Sequence, residues 1–275
     1  MLILFYRAIF GLLICLVLGF FAYLTKQLTA SGAAALCLIG TLLTTFGSWF
    51  TWILICLFFC SSGAIHLFKK FFFAHTEDSI ADKGATRDAA QVFANSLPAI
   101  ISLLLYAITS NELFLIGYVA GIAGATADTW ASEIGQLSTT APRSVLTLKK
   151  LPTGTSGGVT FLGTLASIGG ALLISSSFWL LASLSQQMQP TSASYFVVPS
   201  LCGMLASFID SLLGASFQAR YQCSVCHQWT ESLVHHGQKT QLIKGFSWLN
   251  NDKVNLISGC LTILIGWLLW ITFIH

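Results

Sequence analysis

Charge is what this chain has least of. Only 8% of its 275 residues are Asp, Glu, Lys or Arg, against roughly a quarter in a soluble domain. That shortage excludes an ordinary soluble enzyme. A net charge of +3 also leaves no basic surface for a nucleic acid, and none is expected as a partner. Several catalytic signatures are missing too. No GxxxxGK[ST] occurs, so there is no Walker A loop; no HExxH occurs, and no Ser-His-Asp arrangement is legible. Arg7 precedes an apolar run, but no small-residue cleavage site follows, so that run reads as a retained helix rather than a signal peptide.

What the chain does have is apolar length. It is 55% hydrophobic, with a mean hydropathy of +0.78, and stretches near the ~20 residues that span a bilayer recur throughout. The pattern predicts helices at 8–25, 31–47, 49–67, 93–109, 113–132, 158–183, 195–216 and 254–274. The second and third form one apolar run, divided at Gly47–Ser48. The expected fold is all-α: a polytopic transmembrane bundle of about eight helices, one integral membrane domain over 1–275. Its active site is expected on the cytoplasmic face, and its oligomeric state is left open.

Orientation follows from the few charges present. With both termini outside, the cytoplasmic loops are 26–30, 68–92, 133–157 and 217–253. Of the thirteen Lys and Arg residues, only Arg7 lies elsewhere, a marked positive-inside bias. The acids lean the same way: Glu112 alone belongs to the outer face. Asp128 and Asp210 lie inside predicted helices, about one turn from their inner ends. A carboxylate within a span is costly and marks a candidate functional site.

Six of the eight cysteines are scattered through apolar spans, where they pack as small hydrophobes. Cys223 and Cys226, in "CSVCH" of the 217–253 loop, differ. A c-type haem site has this spacing but belongs on the outer face. The alternatives are a zinc site, with two further ligands among His227, His235 and His236, or a dithiol with no metal.

Four segments at the cytoplasmic end carry polar chemistry. "DKGATRDAAQVFAN" places Lys83 and Arg87 four apart, followed by Asp88, with Gln91 and Asn95 where lipid-facing residues would be apolar. "AGATADTWASEIG" puts Asp128 and Ser132 on one helical face, with Glu133 just beyond; Gly117, Gly121 and Gly124 upstream suit close helix packing. "LPTGTSGGVTFLGTLAS" has six successive hydroxyl or glycine residues, Thr153 to Gly158, ahead of a helix start. Amides of such a segment, Thr155, Ser156, Gly157 and Gly158 above all, suit a phosphate. "SFIDSLLGASFQ" and "NNDKVN" add Asp210, Ser211, Asn251, Asp252 and Asn255. Carboxylates, cations and a glycine-rich turn suit Mg²⁺ shared with substrate phosphates, and hence phosphoryl transfer.

In this order, "KGATRDAAQVFAN", "ADTWASEIG", "PTGTSGGVTFLGTLAS", "FIDSLLGA", "CSVC" and "NNDKVN" resemble the transmembrane-protein-19-like family of integral membrane proteins, which includes a plant phytyl-phosphate kinase. The resemblance runs from about residue 80 to 260. It implies a membrane kinase converting a phytyl or prenyl monophosphate to the diphosphate, with CTP as the candidate donor and ATP the other. It carries over Lys83, Arg87, Asp88, Asn95, Asp128, Glu133 and Asp210. The expected metal ligands are Asp128, Glu133, Asp210 and Asp252 for Mg²⁺, with Lys83 and Arg87 on the phosphates. The rival readings are a transporter of a phosphorylated lipid or anion, and a lipid cytidylyltransferase.

Overall fold

The computed structural model describes residues 2–72, 86–185 and 192–274. Among them run eight helices: α1 (Leu2–Leu24), α2 (Ala30–Phe46), α3 (Trp49–Phe72), α4 (Ala89–Thr109), α5 (Glu112–Gly135), α6 (Phe161–Leu184), α7 (Ser194–Phe217) and α8 (Asn251–Ile274). All but α2 are long and apolar enough to cross a membrane; α2 is a shorter apolar helix of 17 residues. The chain is a multi-pass integral membrane protein built as a helical bundle. At 1.5 Å per residue a 24-residue helix reaches about 36 Å.

The break between α2 and α3 falls at Gly47. The Gly47 amide closes α2 onto Leu43 O at 2.7 Å, and Ser48 and Thr51 exchange hydrogen bonds that start α3. Arg7 serves this corner: its guanidinium donates to Thr44 O (2.9 Å) and to Gly47 O.

Helix α5 is the hub, packing against α3, α4, α6, α7 and α8. Leu115 to Gly124 are buried without interruption, which no amphipathic surface helix would permit. The expected packing role of its glycines holds. A Cβ on Gly117 would strike Trp267 and Ser102; one on Gly124 would lie 2.9 Å from the Ala206 methyl. Hydrogen bonds tie the hub to its neighbours, from Tyr118 to Thr51 O (2.5 Å) and from Ser102 to Phe114 O (2.7 Å).

Helices α1, α3, α4 and α8 extend three to six residues beyond the expected bounds, and two further features depart from them. The connections carry short strands: β1 (Arg143–Ser144), β2 (Gly158–Val159), β3 (Arg220–Gln222), β4 (Trp229–Thr230), β5 (Val234–His235), β6 (Gln238–Lys239) and β7 (Gln241–Lys244). They pair antiparallel as β1–β2, β4–β3–β7 and β5–β6. And α6 begins at Phe161, not at 158. Gly158 and Val159 pair with Ser144 and Arg143, and Thr160 caps the helix by accepting from the Gly163 amide at 3.0 Å.

Candidate functional site

Small residues bring the acids together. Gly170 of α6 lies against the Ala127 backbone of α5, and Gly203 of α7 lies against Ala123 and Ala171. With α5, α6 and α7 this close, Asp128 and Asp210 line the same space. They border a small cavity of about 20 Å³ with Asn95 and Asn255, roughly enough for one water. They also line a larger cavity of about 630 Å³, with Ser132 and Asp252. The two aspartates therefore form the partition between both spaces. In the orientation that satisfies both polar atoms of its amide, Asn255 donates to Asp210 Oδ2 at 2.9 Å and to Asn251 O at 3.2 Å. Among the described residues no Lys, Arg or His forms an ion pair with either aspartate.

Across the larger cavity lies the 153–158 turn. Its amides divide into two sets. Thr155 N donates to Pro152 O and Gly158 N to Thr155 O, closing the turn. Those of Ser156 and Gly157 make no such bond among the described residues and stay available to an acceptor. Gly157 adopts φ +79° and abuts Ala215 of α7; Gly214 abuts the Ser156 hydroxyl. Ser156 donates to Gln218 Oε1 at 2.7 Å. Two buried groups on this wall have no hydrogen-bond partner among the described residues, Thr155 Oγ1 and Gln218 Nε2. Buried polar atoms rarely stay unpaired, so a polar ligand is the natural complement here.

The expected site residues separate into groups. Asp128, Asp210, Asp252, Ser132, Asn251 and Thr155 to Gly158 share the larger cavity, while Asn95 and Asn255 border the smaller one. Asp252 sits buried in the first turn of α8. Asp88 instead caps α4: it accepts from the Gln91 amide at 3.0 Å while the Gln91 side chain accepts from Asp88 N. Glu133 faces α3, pairing with Lys69 (3.2 Å) and His66 (3.8 Å), and does not line the cavity. Arg87 is held between Gln27 O and Thr29 N through its backbone. Burial lowers its guanidinium pKa, with the Glu133 charge partly offsetting that, and Arg87 lines neither cavity. Lys83 lies outside the described residues.

Gln218, Glu231 and Lys253 also line the wall, although the sequence did not mark them as site residues. Lys253 Nζ donates to Trp248 O at 2.6 Å and lies over the Trp248 ring. Arg220, behind the turn, donates to Ser156 O at 3.2 Å and covers the Trp229 ring. The signal for Lys253 was its place beside Asp252; Gln218 and Glu231 offered none.

In the segment between α7 and α8, the ligand atoms of Cys223, Cys226 and His235 lie within 4.8 Å of one another. His227 and His236 are not part of this group. The Cys223 thiol pKa is lowered to about 6, chiefly by the Cys226 backbone amide.

A bundle of spanning helices with carboxylates and a glycine-rich turn around one cavity defines a class, an integral membrane protein with its polar chemistry gathered at one end. The chain belongs to the integral membrane protein family DUF92, which it matches over residues 13–263. It is 30% identical to Protein PGR of Arabidopsis thaliana over 94% of both chains. It is 28% identical to Protein VTE6, chloroplastic, of the same plant, over 86% of this chain and 63% of that protein. An uncharacterized membrane protein of Methanocaldococcus jannaschii, MJ0933, is 33% identical over 68% of this chain and 63% of its own length. No solved structure matches the chain.

Proposed function

We propose that this protein is a membrane-embedded, Mg²⁺-dependent kinase that converts a phytyl or prenyl monophosphate to the diphosphate, with a nucleoside triphosphate as donor and CTP the first candidate. The observation that supports this most is the shared cavity. Asp128 and Asp210, far apart in sequence, face the 153–158 turn across a space of about 630 Å³, within the range of small-molecule sites. The sequence resemblance to a family containing a phytyl-phosphate kinase supplies the substrate class.

The donor set fits Mg²⁺: carboxylate oxygens with amides around them, all hard ligands. Two buried carboxylates to which no cationic side chain among the described residues is paired favour a cation from outside the chain. Mg²⁺ bound here would supply positive charge against the negative charge that develops in phosphoryl transfer. Asp128 and Asp210 would hold it, with Asp252 nearby and Asn255 fixing the Asp210 carboxylate. The Ser156 and Gly157 amides, Thr155 Oγ1 and Gln218 Nε2 would donate to phosphate oxygens, and Lys253 would add positive charge. The lipid phosphate oxygen attacks the γ-phosphorus, the bond to the β–γ bridging oxygen breaks, and a nucleoside diphosphate leaves. An ionised phosphate needs no strong base. Apolar neighbours of the cavity, among them Ile168, Met204 and Phe208, suit the start of an isoprenoid chain. The site would face the cytoplasm, where the nucleotide is.

The test incubates the purified protein with Mg²⁺, labelled CTP or ATP and a panel of prenyl monophosphates, and identifies products by mass. A prenyl diphosphate with nucleoside diphosphate is expected. Pyrophosphate with a cytidylylated lipid would instead mean a cytidylyltransferase. Movement of intact phosphorylated lipid across vesicles without either product would mean a transporter.

A further inference from the structure

We propose that Cys223, Cys226 and His235 bind one zinc ion, and that this ion fixes the segment carrying Glu231 and Leu233 into the wall of the cavity. The three ligand atoms already lie within 4.8 Å of one another. Cys226 Sγ and His235 Nδ1 are 3.6 Å apart. Zn–S and Zn–N bonds of ~2.3 and ~2.0–2.1 Å at a tetrahedral angle put sulfur and nitrogen about 3.6 Å apart. The spacing is thus one that two ligands of one ion would have.

The turn around the first cysteine is arranged for a metal-bound thiolate. Val225 N donates to Cys223 Sγ at 3.3 Å, and His227 N closes the turn onto Cys223 O at 3.1 Å. His227 takes φ +59° to allow it, so its role here is conformational. Both cysteines are free thiols. His235 comes from β5, whose partner β6 returns through His236 and Gly237, both at positive φ. The His236 ring packs edge-on against His235 at 4.3 Å and stays outside the ligand group. Three protein ligands leave the fourth position of a tetrahedron to solvent. Binding replaces the two thiol protons, which pass to solvent.

Position gives the ion its consequence. Between Cys226 and His235 lie β4 and then Glu231 and Leu233, two residues of the cavity wall. The β5–β6 hairpin has an exposed Val234 and little apolar burial of its own. An ion joining the Cys223 turn to His235 closes this loop and removes freedom that the two-residue strands alone would leave.

The proposal stands apart from the kinase reading, because its readout is metal rather than turnover. The full chain is purified in detergent under reducing conditions, equilibrated with zinc, desalted and analysed for metal. About one zinc per chain is expected. Cys226→Ser and His235→Ala should fall to background, His235→Cys should restore binding, and His227→Ala should keep it. Chelation should speed protease cleavage within 224–240 in the wild type, and reloading zinc on the same preparation should reverse it. A wild-type protein that stays metal-free, zinc content unmoved by His235→Ala in a monodisperse preparation, or cleavage indifferent to chelation would each overturn the proposal.

Discussion

Gly157 lies so close to Ala215 of α7 that a Cβ on it would sit 2.4 Å from the alanine methyl and 2.8 Å from the backbone nitrogen, at a φ of +79°. What approaches this glycine is therefore another helix of the same protein. Its neighbours Ser156 and Gly158 line the cavity with it. Gly157→Ala carries two costs. Left-handed backbone costs about 1–2 kcal/mol for an L-residue, and overpacking against backbone adds about 1–3 kcal/mol. The expected result is a melting temperature several degrees lower in detergent. Gly158→Ala, with negative φ and contacts of 3.0 Å or more, should cost less. Equal melting of Gly157→Ala and wild type would mean that α7 does not dock on this turn.

The sequence showed the spans because hydrocarbon demands long apolar runs, and it showed Asp128 and Asp210 because carboxylates in such runs stand out. Other residues take partners that the apolar pattern does not announce. Gly158 and Val159 continue an apolar run into α6, yet they pair with Arg143 and Ser144. Glu133 looked like a metal ligand beside Asp128, but its partners His66 and Lys69 come from α3. Asp88 and Gln91 have the spacing of a capping box, a local signal that explains Asp88 without any ligand. Glu231 became a wall residue only through the fold of the 218–250 segment, which no periodicity announces.

Glu133 should matter for stability more than for metal. Glu133→Gln removes the partner of Lys69 and His66, both in a half-buried setting, at a cost of about 1–3 kcal/mol. Lys69→Met should cost a similar amount, and the double variant less than their sum. The Mg²⁺ concentration giving half-maximal activity should stay within about threefold of wild type. A large increase in that concentration, with melting unchanged, would return Glu133 to the metal site.

Sidedness is tested by labelling. Twelve of the thirteen cations lie in loops assigned to the cytoplasm, and the helix ends that meet at the cavity are those loops' anchors. In a cysteine-free background, Lys150→Cys should resist an impermeant thiol reagent in intact cells and react after permeabilisation. Asn111→Cys, between α4 and α5, should react from outside. Labelling of position 150 in intact cells would place the cavity on the opposite face.

Asp128→Asn and Asp210→Asn bear on the centre of the proposal and carry opposite expectations for stability and function. Each keeps the side-chain volume and removes one of two buried like charges, so neither variant should melt below wild type when Mg²⁺ is absent. Wild type should be stabilised by Mg²⁺ with nucleotide, since a ligand that binds the folded state raises Tm; both variants should lose that rise. Turnover should fall by about a thousand-fold or more, because the carboxylate that positions the phosphates is gone. Asn255→Ala removes only the bond that orients Asp210, and a loss of about 10–100-fold is expected. Thermal melts with and without Mg²⁺–nucleotide, run beside turnover on the same preparations, separate the cases. An Asp210→Asn protein that melts normally, keeps its Mg²⁺-dependent rise and turns over near the wild-type rate would remove Asp210 from the site, and Asn255 with it.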